Sequence, residues 1–250
     1  MTVQRVTRVV SAVAIVFVTA CASRVPVNTA AQPTASTTVG GRKDIHWFRS
    51  SAEYRGIALE VYRIAGDRLP ELSRGLARGT WAVILDADET VFDNSKHERD
   101  LADRGEAYTE TGWTAWVRTR AAAAVPGAVE FTSRVRALGG RVAIVTNRAD
   151  SLCTPTRENL TIIGVEADVV LCKNTESSDK NPRFARVQNG SAVAGLPALK
   201  VVAWVGDNIQ DFPNLTQAVR TRSGGYADFG VKYFLLPNPM YGSWEKNPEP

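Results

Sequence analysis

Histidine and cysteine are scarce in this chain. Its 250 residues include two histidines, His46 and His97, and three cysteines, Cys21, Cys153 and Cys172. Two histidines leave little for a zinc site or for histidine-based catalysis, and three cysteines exclude a small disulfide-stapled scaffold. A dominant charge is lacking too. Thirty basic residues against 26 acidic ones give +4, and loss of Arg5 and Arg8 with a leader would halve that, so there is no electrostatic case for nucleic acid. What is present is ordinary globular composition, 44% apolar and 22% charged. That excludes disorder throughout and suits one α/β domain with an insertion, although two small domains would also fit. No internal repeat is visible.

Met1 to Arg8 carries two arginines and no acid, and the apolar run from Val9 to Ala20, broken only by Ser11 and Thr19, stops at Cys21. This reads as a secretory signal over residues 1–20, too short for a comfortable membrane crossing. Val18-Thr19-Ala20-Cys21 resembles a bacterial lipobox, which implies that Cys21 is lipidated and becomes the new amino terminus. The alternative is an ordinary signal cleaved nearby, with Cys21 incidental. By the same resemblance, the absence of Asp after Cys21 implies outer-membrane sorting, with the exported chain facing the periplasm or cell surface. Residues 21–41 contain Pro26, Pro33, several Thr, Ser and Ala, and Gly40-Gly41. Such composition cannot offset its ordering entropy by burial and reads as a tether. A folded domain is expected over residues 42–250.

Apolar residues at Tyr54, Ile57, Ala58, Val61, Tyr62 and Ala65 predict a helix from about Ser50 to Ala65. Five short apolar runs read as buried strands: Ala82–Leu85, Val142–Val145, Ala167–Leu171, Val201–Val205 and Val231–Leu236. Helical patterns lie between the first four, clearest from Gly127 to Leu138 after Pro126. Strands alternating with helices predict an α/β fold whose parallel sheet is covered on both faces. Polar residues just past such strand ends converge on one crevice. The long gap from Asp93 to Val125 predicts a helical cap, made from about residues 93–125 together with 44–75. An extra helix on the sheet flank is the alternative.

The strand ends carry the chemistry. The first gives Asp86-Ala87-Asp88-Glu89-Thr90 and the second Thr146-Asn147-Arg148. Lys173 and Lys180 follow the third, and Gly206-Asp207-Asn208 with Asp211 follows the fourth. Alone, each could be a turn or a helix cap. Together they suit phosphoryl transfer. A carboxylate approaching a phosphoryl group needs a hard cation to screen the repulsion, and Asp86 and Asp207 could hold one through oxygen. Lysine and threonine can bind the phosphoryl oxygens. Two aspartates a residue apart can divide the roles of nucleophile and proton donor.

Ile84 to Ser95, I-L-D-A-D-E-T-V-F-D-N-S, resembles motif I of the haloacid dehalogenase (HAD) superfamily, and its extended form is similar to the class C, or nonspecific, acid phosphatases. The resemblance continues through V-P-G-A-V-E-F (125–131), V-T-N-R (145–148), G-D-N-I-Q-D-F (206–212) and L-P-N-P-M-Y-G-S-W-E (236–245). It implies a Rossmann-like HAD core with a small helical cap. It also implies a Mg2+-dependent acid phosphomonoesterase, acting on phosphate monoesters including nucleoside 5′-monophosphates through an aspartyl-phosphate. Carried onto these positions, Asp86 is nucleophile and metal ligand. Asp88 is proton donor, then base, and a metal ligand through its carbonyl. Thr146 and Asn147 bind phosphate, Arg148 shapes the same loop, and Asp207 and Asp211 complete the metal site. Lys180, at the start of a helix, is favoured over Lys173 as the phosphate-binding lysine. The family includes homodimers. A bell-shaped pH profile follows if Asp88 must be protonated to act.

Other residues keep open readings. His97, just after motif I, is a candidate substrate contact, and His46 a surface residue. Trp81 and Trp204 read as core. Trp47, Trp113 and Trp116 are cap residues, one of which could stack on a nucleoside base. Cys153 and Cys172 follow neighbouring strands and are either a disulfide or two buried thiols. The rival from another class is a surface lipoprotein that captures a ligand such as haem, with His46, His97 or Met240 as axial ligand.

Overall fold

The structure is a computed structural model that describes residues 42–249; the expected signal, Cys21 and the tether through residue 41 lie outside the described residues. Two helices open it, α1 (Lys43–Ser50) and α2 (Ala52–Leu72). Ser51 caps α2, its Oγ accepting from the Tyr54 amide at 3.0 Å, which satisfies an otherwise orphaned donor. The helix runs past the expected Ala65 because its buried face continues through Gly66 and Leu69. Pro70 falls in the last turn, where the chain is about to leave the helix anyway.

Next come β1 (Trp81–Leu85), the short β2 (Phe92–Asp93), α3 (Ser95–Arg104), α4 (Glu110–Thr119) and the short β3 (Ala123–Ala124). Then α5 (Ala128–Ala137), β4 (Arg141–Ala149), α6 (Cys153–Ile162), β5 (Val169–Lys173), α7 (Asn181–Asn189), β6 (Lys200–Gly206) and β7 (Tyr233–Leu235) complete the described strands and α-helices. The main sheet has the order β5-β4-β1-β6-β7, and every pairing in it is parallel.

All five residues of β1 are buried, so its alternating side chains build two cores. Trp81, Val83 and Leu85 join Ala58, Tyr62 and Ala65 of α2 and Phe131 and Val135 of α5. Ala82 and Ile84 join Phe184 and Val187 of α7 on the other side. Full burial of such a side chain stabilises by about 1.5–3 kcal/mol.

The expected cap segments divide. The helix α1 meets α3, whereas α2 lies against α5, β6 and β7 on the sheet flank. The reason is its apolar face, which is wide enough to be claimed by the main core. Antiparallel pairing of β2 with β3 ties together the base of the 93–125 insertion. Two residues per strand are too few for a periodicity signal, so the sequence pattern does not show this pair. Cys153, opening α6, is disulfide-bonded to Cys172 of β5, with Cα atoms 5.8 Å apart. No described helix is long and apolar enough to cross a membrane.

Candidate active site

Asp86 directly follows β1, and its amide still donates to Val205 O of β6 at 3.0 Å. That places its carboxylate at the rim between the two strands. Asp207 and Asp211 arrive from β6. A Cβ on Gly206 would come within 2.3 Å of Asp211 Cβ, so only glycine lets the turn close this tightly. Asn208 then caps the following turn, and its amide donates to Asp211 Oδ2 at 2.8 Å. One carboxylate oxygen from each of Asp86, Asp207 and Asp211 lies within 4.8 Å of the others.

Lys180, capping α7 and buried, donates to Asp86 Oδ1 at 2.5 Å and to Asp211 Oδ1 at 2.6 Å. Lys173, half-buried at the end of β5, makes no side-chain hydrogen bond to this group. Asp207 accepts from Thr90 Oγ1 at 3.0 Å and from Asn238 Nδ2 at 2.9 Å. Burial pushes the Asp86 carboxyl up; Lys180 opposes it and Asp211 and Asp88 reinforce it, for a result of about 7. Burial, then Asp211 and Asp86, push Asp207 well above the usual carboxylate range. Burial alone would lower Lys180, but Asp211 and Asp86 outweigh it and hold the ammonium charged.

Three clustered carboxylates and one lysine leave excess negative charge in a buried, all-oxygen donor set. That suits a hard divalent cation, and the cluster could hold one. It is the one group of three metal-ligating side chains found among the described residues.

Asp88, two residues on, has a different setting. Arg148, almost wholly buried, donates to its Oδ1 from Nη2 at 2.7 Å and from Nε at 3.0 Å. Asn94 Nδ2 donates to the same oxygen at 2.8 Å. The guanidinium lies over the Phe92 ring at 4.5 Å and near Trp113 at 5.4 Å. The sequence resemblance gives Arg148 only a part in shaping its loop. Its ion pair with Asp88 spans sixty positions of chain, which no local signal could show. Glu89 is fully buried at a positive φ of 51°. It accepts from the Asn94 amide at 2.8 Å, and burial followed by Asp88 and Asp207 pushes its carboxyl up.

Thr146 is fully buried and Asn147 exposed at the end of the β4 pairing. Thr146 Oγ1 accepts from the Arg148 amide at 3.1 Å. Arg183 of α7 fixes this turn, donating to Thr146 O and, at 2.6 Å, to Asn147 Oδ1. Arg183 and Asn238 support the site without any local motif that marks them for it. Asn238 lies within the C-terminal segment 236–245, and Arg183 carries no signal beyond following Pro182.

Asp88 opens on a cavity of about 610 Å³ that Tyr108, Trp113, Asn147, Arg148 and Tyr241 help line. Trp116 is buried behind it, donating from Nε1 to Asn94 Oδ1 at 2.9 Å. His97 stacks on Trp116, ring centres 5.6 Å apart, and faces a separate cavity of about 550 Å³ with Arg104. It is not among the residues lining the Asp88 cavity, where substrate contact was expected. Trp47 packs beside Tyr54 and Met240 in the α1 cluster. With Met240 and His97 buried in packing roles and His46 exposed on α1, the haem-capturing alternative is not favoured.

A family model described as HAD superfamily, subfamily IIIB (Acid phosphatase) matches residues 8–244. Two solved structures of the class C acid phosphatase from Bacillus anthracis, one with tungstate bound, superpose with a TM-score of 0.71. Each is 26% identical and covers 81% of this chain and 85% of its own. Acid phosphatase 1 of Solanum lycopersicum is 23% identical over 192 residues, 74% of this chain and 69% of its own length.

Proposed function

The chain belongs to the acid phosphatases of HAD subfamily IIIB, and from that premise we propose how its residues hydrolyse phosphate monoesters. One observation carries the reading: Asp86, Asp207 and Asp211 converge, Lys180 bridging Asp86 and Asp211, with Asp88 two residues from Asp86 opening on a cavity. In this reading Asp86 attacks phosphorus and carries the phosphoryl group as an aspartyl-phosphate. Asp88 gives its proton to the leaving ester oxygen, then takes one from the water that hydrolyses the intermediate. Lys180 and Thr146 hold the phosphoryl oxygens as charge redistributes, while Asn147 borders the entrance.

Asp86, Asp207 and Asp211, with the Asp88 carbonyl, would hold Mg2+. When bound, that cation screens the repulsion between the Asp86 carboxylate and the phosphoryl oxygens. Lys180 offsets part of the acids' charge through Asp86 and Asp211. The aromatic walls of the cavity, Trp113, Tyr108 and Tyr241, suit a nucleoside base by stacking, so nucleoside 5′-monophosphates are proposed among the substrates. Export and lipid attachment at Cys21 would place this activity outside the cytoplasm.

The test is phosphate release by the purified chain from residue 42 onward, with magnesium and with chelator. Aryl phosphate, nucleoside monophosphates and sugar phosphates form the panel, with Asp86→Asn as control. Metal-dependent release that vanishes in the variant is expected, with a bell-shaped pH profile. Metal-independent release, or a rate flat from about pH 4 to about pH 9, would overturn the assigned roles.

A further inference from the structure

The two oxygens of Asp88 are not equivalent, and the difference traces to two neighbours outside the reacting set, Arg148 and Asn94. Oδ1 accepts three hydrogen bonds, from Asn94 Nδ2 at 2.8 Å and from Arg148 Nη2 and Nε at 2.7 and 3.0 Å. Oδ2 has only a shared Arg148 Nε contact at 3.3 Å, longer than a good N–H···O bond. A carboxyl proton placed on Oδ1 would meet three donors; on Oδ2 it is free to be given away.

The orientation of Asn94 is itself determined. Trp116 Nε1 donates to its Oδ1 at 2.9 Å, and Arg148 Nη2 reaches the same atom at 3.3 Å. An indole N–H and a guanidinium can only donate, so the amide must turn its oxygen toward them. Its NH2 is then presented to Asp88 Oδ1 and to Glu89 Oε2 at 3.4 Å. Asn94 is fully buried, so no water competes for these positions.

We propose that Asn94, locked by Trp116, is a positioning residue that reserves Oδ2 of Asp88 for proton transfer to the leaving group. The inference rests on Asp88 acting as the proton donor. In the step concerned, an Asp86 oxygen bonds to phosphorus as the phosphorus–ester oxygen bond breaks. The proton on Asp88 Oδ2 passes to the departing oxygen, which leaves as the neutral alcohol. A poor leaving group depends on that proton, and a good one departs without it.

The experiment compares kcat/KM, which covers steps up to release of the alcohol, for glycerol 2-phosphate and 2,4-dinitrophenyl phosphate. Asp88→Asn, Asn94→Ala and Trp116→Phe are measured alongside the unaltered protein, with magnesium present. Asp88→Asn should lose about 100-fold or more on the alkyl ester and far less on the dinitrophenyl ester. Trp116→Phe keeps the ring and removes one donor, so the alkyl ester should fall about fivefold while the dinitrophenyl ester stays within about twofold. Asn94→Ala should show the same selectivity, more strongly. Equal losses on both esters, or none, in Trp116→Phe and Asn94→Ala would overturn the positioning role if Asp88→Asn remains selective. If Asp88→Asn is itself unselective, its role as proton donor fails, and the inference with it.

Discussion

Asp168 sits at the amino ends of the central strands, just before β5. Its Oδ2 accepts from Arg136 Nη1 at 2.8 Å and from the Val142 amide at 2.9 Å, and its Oδ1 from Arg141 Nη1 at 2.8 Å. Burial alone would raise this carboxyl, but the Val142 amide, Arg141 and Arg136 together outweigh it and hold it below the usual range. At the carboxyl ends of the same sheet, Asp86 and Asp211 share one lysine with Asp207 close beside them, and burial with mutual repulsion drives Asp86 and Asp207 upward. The fold thus treats carboxylates in opposite ways at its two ends. Where both carboxylate oxygens have donors, the acid serves stability. Where acids outnumber their partners, charge is left for something the chain does not itself supply.

The largest way to sharpen this contrast is Asp207→Asn. Removing one acid weakens the candidate metal site, and turnover with magnesium should fall about 1,000-fold, because a bound cation contributes several kcal/mol to such transition states. Folding should not suffer. The substituted amide can keep its oxygen toward Asn238 Nδ2 and donate from its own NH2 to Thr90 Oγ1, which can accept instead. A melting temperature equal to or above that of the unaltered chain without metal is the expected reading, together with loss of any metal-induced rise. A large fall in stability would mean that Asp207 is a structural acid like Asp168.

The disulfide belongs to neither end's electrostatics. It closes a 19-residue separation between α6 and β5, worth about 3 kcal/mol in chain entropy. Cys153→Ala with Cys172→Ala should therefore lose about that much by urea unfolding. Thr156 of α6 accepts from Arg148 Nη1 at 3.3 Å, so activity should fall modestly rather than vanish. Unchanged stability would show that the packing of α6 alone holds this corner.

Asp168→Asn should cost about 2 kcal/mol, as hydrogen bonds to a charged acceptor are lost, with kcat unaffected. The sign of its pH dependence follows from the lowered carboxyl. The unfolded group binds its proton near pH 3.8, and the folded one only below that. The contribution is present above this pH and is lost as the pH falls through the folded value. Thermal melts of both chains from about pH 6 to about pH 3 should converge at the acid end; a constant gap would refute the assignment.

How much of this was legible beforehand depends on the range of each interaction. Runs such as Ala82–Leu85 end abruptly in acids, so both the strand and its catalytic-looking end could be read locally. Lys180 was favoured over Lys173 from its place before a helix, and the structure brings Lys180 to Asp86 and Asp211. The shared Oδ1 of Asp88, the clamp of Arg183 on Thr146 and the tie from Asn238 to Asp207 all join distant segments. Composition and periodicity report burial, not which polar groups meet after burial. The position of α2 failed to show for a related reason. Its apolar stripe says that something covers it, and only the sheet's strand order reveals that β6, β7 and α5 do so.

His97 offers a third treatment of a buried ionisable group, without a hydrogen-bond partner at Nε2 and held mainly by burial. It is 6% exposed, and its Nε2 has no hydrogen-bond partner. Burial first, and Arg104 second, hold its pKa below 6.5, with Asp100 opposing. As the pH falls below about 6.5, the unfolded chain takes up a proton that the folded chain refuses, so stability declines until the folded value is passed. His97→Phe can keep the stack on Trp116 and has no proton to bind in either state. Between about pH 7.5 and about pH 5, the unaltered chain should lose up to about 2 °C more in Tm than the variant. This is the smallest effect expected, because one partly screened group is responsible. Identical pH dependence in the two chains would mean that the ring gains a partner on protonation, and that the cap, unlike the two ends of the sheet, carries no electrostatic bias at this position.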